Sequence, residues 1–79
     1  MAEIWNYETS KELLYAPGLG HYFTYGLLAT RKVNSVWEPV EFIHDVTTDY
    51  LLVKKMEELF NRYQLYPIHL RDAIEDMLP

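Results

Sequence analysis

The stretch Asp49-Tyr50-Leu51-Leu52-Val53-Lys54-Lys55-Met56-Glu57-Glu58-Leu59-Phe60-Asn61-Arg62-Tyr63 decides the fold. Leu52, Val53, Met56, Leu59, Phe60 and Tyr63 recur at intervals of three and four, while Lys54, Lys55, Glu57, Glu58, Asn61 and Arg62 fill the opposite face. That is the pattern of an amphipathic helix with one buried stripe. Thr47 or Thr48 is the expected N-cap, Asp49 suits the positive end of the helix dipole, and Lys54 and Glu58 are spaced as an i,i+4 pair. The helix is expected to fade near Gln64, because Pro67 restricts the residue before it and cannot continue the ladder.

A second, shorter helix follows. Pro67 suits its first turn, and Leu70, Ala73, Ile74, Met77 and Leu78 make its apolar stripe. Arg71, Asp72, Glu75 and Asp76 face water, with Arg71 and Glu75 spaced to pair. A helix of about a dozen residues is marginal alone, so it must dock.

Working upstream, residues 21–31 and 38–46 read as a β-hairpin. Phe23, Tyr25, Leu27 and Ala29 line one face of the first strand, and Val40, Phe42 and Val46 line one face of the second. Lys32-Val33-Asn34-Ser35 is the expected turn, without the Asn-Gly that would fix its type. Pro39 has no amide proton to donate, which puts the start of the second strand at an edge. Period-two counting leaves Tyr22, Leu28, Trp37 and Ile43 on the other face, where either the N-terminal segment or another chain must cover them. These four are the candidate contact surface. A two-stranded hairpin is barely stable, so a third strand is expected from residues 3–8. Residues 11–16 fit a helical turn or another strand, and Pro17-Gly18-Leu19-Gly20 is a loop. The expected class is α+β: one domain over residues 1–79, a small antiparallel sheet with two C-terminal helices on one face.

The run Asp45-Val46-Thr47-Thr48-Asp49, the helix after it, and Pro67-Ile68-His69-Leu70-Arg71-Asp72-Ala73-Ile74-Glu75-Asp76-Met77-Leu78 resemble the ending of a family of short bacterial proteins known as a domain of unknown function. Members of that family close with a similar threonine-capped helix and a Pro-Ile-His-Leu…Ile-Glu-Asp segment. Tyr25-Gly26-Leu27 is similar to the family's Tyr-Gly-aliphatic strand. The resemblance spans residues 21–78, leaves out the first twenty, and implies a shared fold with no catalytic residue or ligand attached. Tyr66 departs from the pattern, standing where a small capping serine is expected before the proline.

Composition narrows the function classes. The chain has 79 residues and no cysteine, which excludes a disulfide framework, a zinc ribbon and a cysteine nucleophile. Met1-Ala2-Glu3-Ile4 lacks the basic and apolar regions of a signal peptide, and no apolar run approaches a membrane span. A reducing cytoplasm is the expected setting. Acidic residues number 12 against 7 basic ones, a net charge of −5 that repels a phosphate backbone. Only Arg31-Lys32 and Lys54-Lys55 could seed a basic patch.

The residues that could carry chemistry are few. His69 and Asp72, three apart, could share a metal ion, but a site needs three or four ligands, and His21 and His44 lie in the hairpin. Capping and dipole interaction at the helix start are the simpler role for His69 and Asp72. His44 is expected at the edge of the core as a hydrogen-bonded structural group, with Asp45 on the opposite face and unable to orient it as a base. Gly18-Leu19-Gly20-His21 lacks the Lys-Ser/Thr of a phosphate loop and reads as a turn. Ser10 and Ser35 have no histidine nearby in the sequence.

Seven tyrosines (Tyr7, Tyr15, Tyr22, Tyr25, Tyr50, Tyr63 and Tyr66) join Trp5 and Trp37, side chains enriched at protein interfaces. So small a core leaves only ~3–5 kcal/mol of net stability, and a second subunit is one way to raise it. The expected function is a non-catalytic interaction or regulatory module without a cofactor, acting as a homodimer or on another protein. The alternatives are a nucleic-acid-binding regulator using Arg31-Lys32 and a small-molecule or metal-dependent enzyme.

Overall fold

The computed structural model describes residues 3–79, so Met1 and Ala2, the first two residues of the stretch read as lacking signal-peptide features, lie outside the described residues. Three long strands form an antiparallel meander, β1 (Trp5–Ala16), β2 (Gly20–Val33) and β3 (Val36–Thr47), in the order β1-β2-β3. Helix α1 (Tyr50–Arg62), a 3₁₀ turn (Pro67–His69) and α2 (Leu70–Met77) follow. The α+β class and both helices are as the sequence indicates. The N-terminal strand exists but is twice as long as expected: residues 11–16 continue β1 and pair with β2 up to Ala16 opposite Gly20.

The turns explain the strand lengths. Pro17 supplies a preset φ and Gly18 a φ of +83°, the pairing of a type II turn, closed by Leu19 N–H donating to the Ala16 carbonyl at 3.1 Å. At the other end Asn34 (φ +50°) and Ser35 (φ +68°) form a two-residue turn between the paired Val33 and Val36. Positive φ at both positions is the type I′ signature, so Asn-Ser fills the role that Asn-Gly fills with less strain.

The core lies between one sheet face and the helices. Trp5, Tyr7, Leu27 and Ala29 meet Val53, Met56 and Phe60 of α1 and Leu70 and Ile74 of α2, all buried. Tyr63, placed in the buried stripe by its spacing, is instead the α1 C-cap and 73% exposed. The helix ends there in a Schellman motif: Gln64 takes φ +50°, and Leu65 N–H donates to the Phe60 carbonyl. The N-cap is Asp49 itself, accepting from Leu52 N–H at 3.2 Å, while Thr47 Oγ1 accepts from Asp49 N–H. Tyr66 provides no side-chain cap to the 3₁₀ turn, in keeping with its departure from the family pattern. Lys54 pairs with Glu57 rather than Glu58, Arg62 takes Glu58, and Arg71 reaches Glu41 across the fold rather than Glu75.

Two further features correct the sequence reading. First, Glu57 and Asn61 do not simply face water. Together with Gln64 they line the outer edge of β1 and satisfy its main chain as a fourth strand would. Gln64 Oε1 accepts from Trp5 N–H and its Nε2 donates to Trp5 O; Asn61 does the same for Tyr7, at 2.7 and 2.9 Å; Glu57 accepts from Thr9 N–H at 2.8 Å. The left-handed strain at Gln64 is therefore offset by two hydrogen bonds that a glycine there could not make. Second, β3 is bulged. Leu27 faces Ile43 and Tyr25 faces Thr47, leaving residues 44–46 opposite the lone Gly26. The bulge, with Asp45 at φ +50°, inverts the expected parity. Ile43 packs on the helix-side core, and Phe42 takes its place on the free face opposite Leu28.

Candidate functional site

The β2–β3 pairing ends at Tyr25–Thr47, and the side-chain closure of the β1 edge ends at Thr9. Beyond those points β1 and β2 continue as a bare two-stranded hairpin. Six residues of strand extend ~20 Å, which accounts for the elongated 51 × 25 × 18 Å outline. On the helix side of this projection Leu13 opposes Phe23 and Tyr15 opposes His21, with Leu19 at the tip. Leu13 is 57%, Tyr15 65%, Leu19 70% and Phe23 54% exposed. Lys11 lies over the Phe23 ring, 4.1 Å from its centroid. From Leu13 to Phe23 the sequence holds no Asp, Glu, Lys or Arg.

The base of the hairpin is tightly organised. Glu12 of β1 reaches across β2, over Gly26, to the bulge: Oε1 accepts from Asp45 N–H at 3.1 Å and Oε2 meets His44 Nδ1 at 2.9 Å. Burial pushes the Glu12 carboxyl upward, but the His44 and Asp45 hydrogen bonds outweigh it and hold it below the usual carboxylate range. Thr24, fully buried, donates to Asp45 Oδ1 at 2.7 Å. Gly26 makes the crossing possible. A Cβ there would stand 2.6 Å from the Ile43 carbonyl oxygen and 2.7 Å from Glu12 Oε1. The Tyr25-Gly26-Leu27 motif thus has a physical basis: the glycine is the floor on which a carboxylate and a bulge meet.

The four residues proposed from the sequence do not form one surface. Tyr22 and Leu28 are half-buried on the free face, beside Leu14 and Phe42, while Trp37 is 45% exposed there with Lys32 over its ring. Ile43 is on the opposite face, packed toward the core. The N-terminal segment does not cover the free face, because it is a strand of the sheet itself. Glu8, Glu12 and Lys32 interrupt that face, so its apolar character is weaker than that of the hairpin. The exposed hairpin residues that the sequence reading did not single out as a surface are Leu13, Leu19 and Phe23; the eighteen-residue run without Asp, Glu, Lys or Arg, residues 13–30, was the signal.

The remaining candidates sit apart. His44 is exposed on the free face, stacked on Phe42 at 4.2 Å between centroids, rather than at the core edge. His69 makes no side-chain cap to α2. Among the described residues no group of three or more His, Asp or Glu gathers as a metal site. Arg31 is flanked by Glu3 and Glu38 at 3.9 and 3.7 Å, which offsets the charge of the Arg31-Lys32 pair. Among the described residues no helix is long and apolar enough to cross a membrane.

A family model described as a family of unknown function (DUF6514) matches residues 3–79, and the chain belongs to that family. The match takes in β1 and the hairpin tip, which the resemblance noted in the sequence left out. No curated protein and no solved structure matches the chain.

Proposed function

We propose that this member of the DUF6514 family is a non-catalytic protein-interaction module that docks through its projecting β1–β2 hairpin, onto a second copy or onto another protein. The observation that supports it is the exposure of Leu13, Tyr15, Leu19 and Phe23 on a two-stranded projection that, beyond the Glu12 and Thr24 contacts at its base, no other element among the described residues pairs with. A hairpin of this kind is marginal in water, and bare apolar edges invite association, so a chain that keeps one gains by covering it. The nucleic-acid alternative has less support, since Arg31 is already flanked by carboxylates. The enzyme alternative has less support, since among the described residues no convergent set of titratable groups surrounds an enclosed cavity. The absence of cysteine fits a reducing cytoplasm as its setting.

The test compares the full chain with a Leu13→Lys, Phe23→Lys double variant in two measurements: native mass by sedimentation, and proteins recovered from extracts of the source organism. Both positions are more than half exposed, so the variant should fold. Hairpin-dependent association in either measurement supports docking. A monomer whose recovered partners are unchanged by the substitutions refutes it.

A further inference from the structure

Building on the docking role proposed above, we infer that the hairpin's partner is a second copy of this chain, joined antiparallel along the outer edge of β1 about a two-fold axis at Leu13.

The open edge has defined limits. On its N-terminal side Glu57, Asn61 and Gln64 already occupy the main-chain groups of Thr9, Tyr7 and Trp5. On its C-terminal side Pro17 has no N–H to offer. The amides of Trp5, Tyr7 and Thr9 point outward from the sheet, and main-chain direction alternates along a strand, so the outward residues between those limits are Lys11, Leu13 and Tyr15. That set is symmetric about Leu13. Pairing with itself around that residue satisfies all three, with about six main-chain hydrogen bonds, two for each facing pair.

Side chains select the same register. With the axis at Leu13, Leu13 meets its own copy and Lys11 meets the partner's Tyr15, while Glu12 meets the partner's Leu14 on the other face. No like charges oppose. An axis at Lys11 would set two ammonium groups together and drive the incoming strand into the α1 side chains that close the edge. An axis at Tyr15 would bring the partner's Pro17 opposite Leu13 and lose a donor. The charge distribution also favours a self-partner here: the chain carries −5, but the residues from Leu13 to Phe23 carry no Asp, Glu, Lys or Arg. Antiparallel pairing sends the two helix-bearing ends in opposite directions, away from mutual repulsion. The product is an isologous six-stranded sheet, β3-β2-β1 continued by its two-fold copy, with both helical layers on one side.

Sedimentation velocity on the full chain from low to high micromolar concentration tests this. The expected result is a rise from monomer to dimer mass. Leu13→Lys should weaken the dimer at least tenfold, with a thermal melt unchanged at concentrations where both chains are monomeric, and an equimolar mixture of Leu13→Lys and Leu13→Glu chains should recover dimer mass. Because the chain lacks cysteine, Leu13→Cys introduces a single thiol at the axis. Facing residues in such a pair stand ~5.5 Å apart between Cα atoms, within disulfide range, so Leu13→Cys should cross-link on mild oxidation and Ser35→Cys, at the far turn, should not. A monomeric full chain at every concentration, or equal cross-linking by both cysteine variants, overturns self-pairing. If that monomer still recovers another protein in a Leu13-dependent way, docking stands and only the identity of the partner falls; if it does not, both fall.

Discussion

Replacing Gly26 by alanine should damage this fold severely. The new Cβ would lie 2.6 Å from the Ile43 carbonyl oxygen, 2.7 Å from Glu12 Oε1 and 2.9 Å from Phe42 Cε1. The carboxylate can swing aside, but only by giving up Asp45 N–H and His44 Nδ1. Losing a hydrogen bond to a charged group costs about 1.5–3 kcal/mol. The Ile43 carbonyl is main chain and cannot move without disturbing the bulge, and overpacking of this kind adds ~1–3 kcal/mol. A combined loss of about 3–5 kcal/mol is comparable to the whole stability of a domain this size. Thermal unfolding followed by circular dichroism should therefore show Gly26→Ala melting more than ~12 °C lower, or without a cooperative transition, given about 4–8 °C per kcal/mol for such a domain. Glu12→Ala combined with Gly26→Ala should recover part of the loss, because one of the clashes is gone. A Gly26→Ala chain within about 0.5 kcal/mol of the original, the range of an ordinary surface change, would refute the idea that the carboxylate and the bulge depend on the bare glycine.

Three further outcomes are expected. Ser35→Gly should stabilise the chain by ~0.5–1 kcal/mol in urea denaturation, since Ser35 holds φ +68° in a turn that favours Asn-Gly; a loss would mean that the turn is not I′ in solution. Asn61→Leu should cost ~1–3 kcal/mol and make the chain more prone to associate, because Tyr7 N–H and C=O lose both partners and the open edge of β1 lengthens; unchanged stability would show that the side-chain ladder is dispensable. At high pH, Tyr7 should set an alkaline limit. Burial, with a smaller push from Glu41, raises its phenol from 10.0 to about 12 in the fold, so the unfolded chain releases that proton first and stability falls as pH rises from 10 toward 12. Two units correspond to about 2.7 kcal/mol at most. A pH series of urea melts should show this limb, and Tyr7→Phe should remove it; a limb unchanged in the variant would assign it to other groups.

Acid should act in the opposite sense. The Glu57 carboxyl is raised by burial but held lower, on balance, by Lys54 and Thr9, and Glu12 is likewise below its usual range. The unfolded chain then binds these protons first. The stability they contribute is present above the unfolded value of 4.5 and is lost as pH falls through the lower folded values. Glu57→Gln should flatten the acid limb of the same series.

The amino-acid sequence by itself determined the α+β class, both helices and their apolar stripes apart from Tyr63, the two turn regions and the need for a third strand. These follow from local chemistry: helical periodicity at Val53, Met56 and Phe60, a proline-glycine pair, and β-rich runs. Only the tertiary structure decided which face of β3 is buried, because a bulge of residues 44–46 over Gly26 shifts the parity that period-two counting assumes, exchanging Ile43 for Phe42. It alone decided that Glu57, Asn61 and Gln64 serve as a surrogate strand, since polar residues at helical spacing look the same whether they meet water or a neighbouring main chain. And it alone showed where the apolar excess goes. Strand length and strand partners are set by pairing between distant segments, and here β1 and β2 outrun β3 and the helices, leaving Leu13 and Phe23 in the open.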